Sequence, residues 1–112
     1  MIDDYDFGRI VIDGKTYTSD VIVFPERIQE SWWRKQGHSL CREDIKEILA
    51  EKPDILVVGT GAYGMMAVPP ETARAVDEKG IKLLAGKTAS ACRLFNSAAG
   101  RGKVIGAFHL TC

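Results

Sequence analysis

Apolar and polar positions along the chain fall into short runs with two different periods. Phe7 to Ile12 reads as a strand, and Lys15-Thr16-Tyr17-Thr18 is a second β-rich run. Asp13-Gly14 between them predicts a two-residue hairpin turn, because a type I′ turn needs positive φ at both central positions. Val21-Ile22-Val23-Phe24, closed by Pro25, is apolar throughout, the pattern of a strand covered on both faces. Cys41, Ile45, Ile48 and Leu49 share one stripe of a helix from about Arg42 to Glu51, which Pro53 ends. Ile55-Leu56-Val57-Val58 is a short buried strand leading into Gly59-Thr60-Gly61-Ala62-Tyr63-Gly64.

The second half alternates regularly. Pro69-Pro70-Glu71 opens a helix with Ala73 and Val76 on its inner face and Gly80 as a left-handed cap. Ile81 to Ala85 is a strand. Thr88 is placed to cap a third helix that carries Ala91, Cys92, Phe95 and Ala99 on one side. Gly100-Arg101-Gly102 turns into a last strand from Lys103 to Leu110. Strand, helix, strand, helix, strand implies parallel neighbours joined by right-handed crossovers. The expected fold is therefore α/β: one domain over residues 1–112, in three layers. Its central sheet is mixed and largely parallel, with an N-terminal β-hairpin, and its length suits one hydrophobic core.

Glu26 to Ser39 follows neither period. Its large apolar groups are Ile28, Trp32 and Trp33. Neighbouring indoles cannot share one face of a strand or one narrow helix stripe. One Trp is expected in the core and the other at a surface, which makes Trp32 and Trp33 the candidate interface.

Charge and cysteine usage narrow the function classes. Fifteen basic and fifteen acidic side chains cancel. A nucleic-acid partner is not expected, since phosphate neutralisation usually requires a basic excess. No apolar run is long enough to span a bilayer, so membrane insertion is not expected. The acidic start, Met1 to Asp6, matches neither a secretory signal nor a mitochondrial presequence, which points to the cytoplasm. Cys41, Cys92 and Cys112 are odd in number and far apart, so neither a disulfide framework nor a zinc site is expected.

Two features carry candidate chemistry. Gly59 to Gly64 matches the G-x-G-x-x-G spacing of dinucleotide folds, where glycines let the backbone approach a pyrophosphate at a helix N-terminus. Here Met65 to Val68 and then Pro69-Pro70 follow, so the helix starts too late. Ala85-Gly86-Lys87 stands where a ribose-binding acid would be needed. No cofactor is expected, and the loop reads as a tight turn that shapes a pocket or contact surface. Gly59, Thr60, Gly61, Tyr63, Gly64 and His109 are its candidate residues. His109 and Cys112 alone do not make a metal site, and Ser97 has no base, so neither metal nor catalytic residues are assigned. Arg93, Arg101 and Lys103 form a basic group near the end of the chain.

Several motifs occur together: Pro53 to Gly61, Val68-Pro69, the Thr88…Ala91…Asn96 helix, and Ala107 to Cys112. With Phe7-Gly8, Trp33 and Gly37-His38, they resemble the small Mth-domain family over nearly the whole chain. Its relatives include the mitochondrial complex I assembly factor 3 and the adipogenesis-associated Mth-domain protein. The resemblance implies a three-layer α/β fold and no established catalysis or cofactor. Two functions from different classes follow. One is a protein-interaction or assembly-factor-like module, with an unknown protein partner or a second copy of itself. The alternative is a small-molecule or anion-binding protein, or an enzyme, built on the Gly59–Gly64 loop.

Overall fold

The computed structural model describes all residues from Met1 to Cys112. Strands β1 (Ile2–Asp6), β2 (Arg9–Ile12) and β3 (Lys15–Tyr17) form a small antiparallel sheet. The expected hairpin is present, with φ of 49° at Asp13 and 81° at Gly14. It is extended by β1, which the acidic sequence conceals. A register shift between Ile2 and Asp4 breaks the period of two, leaving only Ile2 buried and Tyr5 half-buried. Phe7 and Gly8, expected to open the Phe7–Ile12 strand, instead make the turn before β2.

The main sheet has the order β5-β4-β8-β6-β7. Its strands are β4 (Val21–Val23), β5 (Ile28–Gln29), β6 (Ile55–Thr60), β7 (Lys82–Gly86) and β8 (Val104–His109). β6 runs parallel to both β7 and β8, whereas β4 is antiparallel to β5 and β8. The alternation of strands and helices from residue 55 onward thus gives the parallel portion expected of it. A 3₁₀ turn (Arg42–Ile45) leads into α1 (Lys46–Glu51), which ends at Lys52 with φ of 49°, directly before Pro53. α2 (Pro70–Glu78) and α3 (Thr88–Ala98) are the two crossovers.

Two apolar clusters, rather than the single core expected, lie on either side of the sheet, as a covered three-layer sheet requires. Beneath α3 and the small sheet are Ile10, Val57, Phe95 and Phe108. Beneath α1 and α2 are Trp32, Ile45, Ile48, Leu56 and Ile105. All six positions of β8 are buried, and each fully buried large aliphatic or aromatic side chain contributes about 1.5–3 kcal/mol. Gly106 makes the β8 packing possible: a Cβ there would lie 2.5 Å from the Phe108 ring and 2.8 Å from Phe95. Without it those rings meet edge to face, with centroids 5.8 Å apart. The inner face of α3 uses Ala98, not Ala99, which is exposed. No helix is long and apolar enough to cross a membrane.

Candidate functional site

The parallel strands deliver the glycine loop and His109 to the same edge. Thr60 at the carboxyl end of β6 pairs in register with His109 at the carboxyl end of β8. Each glycine of the motif answers a contact within the chain. A Cβ on Gly59 would stand 2.8 Å from Thr88 Oγ1 and 3.0 Å from the Phe108 ring. Gly61 has φ of +106°, and a Cβ there would be 2.5 Å from the Cys112 carbonyl. Gly64 has φ of +69° beside Lys87.

Five backbone donors between Gly61 and Met66 are turned onto the protein itself. Gly61 N–H donates to Thr88 Oγ1 at 2.9 Å, and Ala62 N–H to the Thr111 carbonyl at 2.6 Å. Gly64 N–H donates to the Gly61 carbonyl, Met65 N–H to Cys112 and Met66 N–H to Thr60. A pyrophosphate cradle needs such donors aimed at the ligand from a helix N-terminus, yet α2 begins only at Pro70. The letter match to a dinucleotide motif therefore describes a turn clasped by residues 111–112. Thr88 is not a cap: Lys87 occupies that position, and the Thr88 hydroxyl donates to the His109 carbonyl while accepting from Gly61. Around the turn, Met66 is buried, whereas Met65 and Tyr63 are exposed. Tyr63 lies against Phe7, with centroids 6.1 Å apart.

His109 belongs to a buried charged cluster whose other members the sequence did not suggest. Its Nδ1 lies 2.8 Å from Asp20 Oδ2 and 2.9 Å from an Arg34 terminal nitrogen. Arg34 Nη1 also stands 2.8 Å from Asp20 Oδ2, an ion pair by distance, though not aligned as a hydrogen bond. The other carboxylate oxygen accepts the Leu110 N–H at 2.8 Å. Burial alone would raise the Asp20 carboxyl. The hydrogen bonds from His109 and Leu110, together with the Arg34 guanidinium beside it, outweigh burial and hold it below the ordinary aspartate range. One ring nitrogen cannot donate to Asp20 and accept from Arg34 at the same moment. With Nδ1 protonated it donates to the carboxylate, and the guanidinium keeps its ion pair with the carboxylate and its bond to the Gly37 carbonyl. Nε2 of His109 and Nε of Arg34 are buried without a partner in the chain.

This cluster fixes the irregular segment expected to carry the two indoles. Arg34 stacks over Trp32, its guanidinium carbon 4.9 Å from the ring centroid. Trp32 N–H donates to the Asp20 carbonyl, and its indole N–H reaches the Asp44 carbonyl at 3.1 Å. Trp32 is 3% exposed and Trp33 is 84% exposed. The division of labour expected between the pair is thus resolved by residue. Trp33 borders a groove of about 480 Å³ that Lys35, Glu43, Lys46 and Glu47 also line. Of the basic group, Lys103 is paired with Glu51 and Arg93 bonds the Ser90 hydroxyl. The signal for Asp20 and Arg34 was weak. It consisted of an acid directly before an all-apolar strand and an arginine directly after two indoles.

A family model described as a protein of unknown function (DUF498/DUF598) matches residues 2–109. The chain belongs to this family. Among solved structures, it resembles a conserved hypothetical protein from Pyrococcus horikoshii OT3, at 28% identity and TM-score 0.85, covering 100% of this chain and 99% of that one. It also resembles a protein described as an outer membrane protein from Bartonella henselae, at 25% identity and TM-score 0.81, covering 99% and 94%. A Bordetella pertussis protein described as a Mth938-like domain matches at 20% identity and TM-score 0.77, covering 97% and 84%. The family match and this likeness agree with the Mth-domain resemblance in the sequence, and no catalytic function is indicated for the DUF498/DUF598 domain.

Proposed function

We propose that this DUF498/DUF598 domain is a cytoplasmic protein-interaction module of the assembly-factor kind, with Trp33 as its anchor. The observation that carries this reading is the exposure of Trp33 on a segment whose flanking residues are buried. Trp32 lies in the core on one side, and Arg34 lies in the Asp20–His109 cluster on the other. A large indole kept in water on a fixed backbone loses little freedom when a partner covers it, and Trp is enriched among residues that dominate interfaces. The neighbouring groove, with charges of both signs, suits a polar rim around an aromatic anchor. The Gly59–Gly64 loop supports the same side of the choice, since its donors bind the protein itself.

The test separates the two indoles. Trp33→Ala is expected to leave the stability within about 0.5 kcal/mol of the wild type and to abolish capture by a photo-cross-linker placed at Lys35. Trp32→Ala is expected to destabilise the domain by about 3–5 kcal/mol. If both substitutions only destabilise and cross-linking is unchanged by Trp33→Ala, the reading is wrong. The small-molecule alternative rests on the unpartnered Nε2 of His109. A thermal-shift panel of nucleotides, phosphates and acyl carriers tests it, because a ligand of the native state must raise the transition.

A further inference from the structure

β7 is an outer strand of the main sheet, and its free edge has no proline, bulge or acidic residue, its one charge being Lys82 at the first position. Edge strands are commonly blunted by prolines, bulges, charges or extreme shortness. The opposite edge, β5, has two residues and follows Pro25. In the small sheet, β1 carries Asp3, Asp4 and Asp6. β7 is Lys82-Leu83-Leu84-Ala85-Gly86, paired in unbroken register with β6 and free of charge between Lys82 and Lys87. Leu83 and Leu84 are half-buried and Ala85 is exposed.

The ladder states which backbone groups are free. Lys82 N–H donates to the Asp54 carbonyl of the β6 side. In a strand, alternate residues turn their N–H and C=O to the same edge. Lys82, Leu84 and Gly86 therefore face β6, and Leu83 and Ala85 face outward. Ile81 N–H, next on the outward side, is already given to the Val76 carbonyl. Lys87, the next in the other direction, is the cap of α3.

We propose that β7 pairs antiparallel with β7 of a second copy about a two-fold axis at Leu84, joining two five-stranded sheets into one of ten strands. Other registers fail. A two-fold axis normal to the sheet keeps the same layer on the same side in both copies, so paired positions must sum to an even number. Centring on Leu83 requires the Ile81 N–H, which is engaged. Centring on Ala85 sets Leu83 against the partner's Lys87. Centring on Leu84 sets Leu83 against the partner's Ala85 and Ala85 against the partner's Leu83. Those are the residues with free groups, and they complete four backbone hydrogen bonds. Leu84 meets the partner's Leu84 at a non-hydrogen-bonded position, where side chains approach most closely. Lys82 lies against the partner's Gly86, which brings no like charge directly opposite.

The second copy is favoured over another partner by this self-complementarity and by the flank of α3. Asn96 of α3 bonds Ile2 of β1. Leu94, two residues earlier and about 200° around the helix, lies on the β7 flank and is 37% exposed. Leu84 packs on the α3-side layer, so pairing brings the two copies' Leu84 side chains together there. The contact is isologous and closes as a dimer, because β5 is too short to continue the array.

Light scattering across a concentration series tests the proposal. The expected mass is twice 12.3 kDa, falling to the single-chain mass on dilution. Leu84→Lys sets like charges opposite one another and is expected to raise the dissociation constant at least about tenfold. Ala85→Pro removes an outward N–H without touching the β6 ladder and is expected to give a folded monomer by circular dichroism. Leu84→Cys in a Cys112→Ser background is expected to oxidise to a covalent dimer, the Cα separation of such a pair suiting a disulfide. This readout keeps the proposal testable if Ala85→Pro fails to fold. A single-chain mass throughout the series, or a dimer that Leu84→Lys leaves intact, overturns the proposal.

Discussion

Asp20 holds together pieces of chain far apart in sequence: Arg34, His109 and the Leu110 N–H. Replacing it with Asn removes the charge and leaves the guanidinium buried against a neutral amide. The expected loss is about 3 kcal/mol, the low end for breaking a buried pair, measured by urea unfolding at neutral pH. The sign of the pH dependence follows from the carboxyl, which is held below its ordinary value in the folded protein. Its stabilisation is complete above the ordinary aspartate value and is lost as pH falls through the lower, folded-state value. The difference between wild type and Asp20→Asn should therefore be flat above about pH 5 and shrink in acid; a gap that widens in acid would contradict this. The thiols give a second expectation. Burial pushes the Cys92 thiol up to about 12, while Cys112 is exposed. A thiol reagent at neutral pH should modify Cys112 in the native protein and reach Cys92 only on unfolding. At this scale the Trp pair was legible because adjacency alone forbids a shared face. The charged cluster was not, because its members lie 75 and 89 residues apart from His109 and nothing local marks them as partners.

Among the elements, the glycine loop shows how a motif can be spelled correctly and mean something else. Gly61→Ala meets both a positive φ and the Cys112 backbone, and should cost about 2–4 kcal/mol. Gly14→Ala meets a positive φ of +81° but open space, and should cost only about 1 kcal/mol. Thermal unfolding of the two variants measures the difference. Because the loop N–H groups bind Thr88, Thr111, Cys112 and the loop itself, calorimetry with NAD, FAD and ATP should give no saturable heat. Saturable binding abolished by Gly61→Val, with the fold intact, would refute that. The longer strands and all three helices were readable from periodicity. β1 was hidden by a register shift and three aspartates, and β5 by its length of two residues. Loop glycines are readable as turn formers, but what they make room for depends on residues 111–112, about fifty positions away.

At the scale of the molecule, the order β5-β4-β8-β6-β7 places the last strand at the centre. β8 supplies every hydrogen-bonded link between the antiparallel and parallel parts of the sheet. The ties between Asn96 and Ile2, between Tyr5 and Leu110, and between Asp20 and Leu110 join the same two ends of the chain. The three-layer form was legible from the alternation of elements, whereas this central insertion was not, since runs of apolar residues do not say which strand they will sit beside. Removing residues 104–112 should leave an unfolded chain with no native-like circular dichroism. The whole domain should refold in the millisecond-to-second range set by non-local pairing. During synthesis, at roughly 5–20 residues per second, β4 and β6 emerge with unpaired edges and apolar faces and then wait for β8. Until residue 109 clears the ribosome the β4–β5 and β6–β7 pairs cannot be joined into one sheet, so the nascent chain passes seconds as a substrate for chaperones.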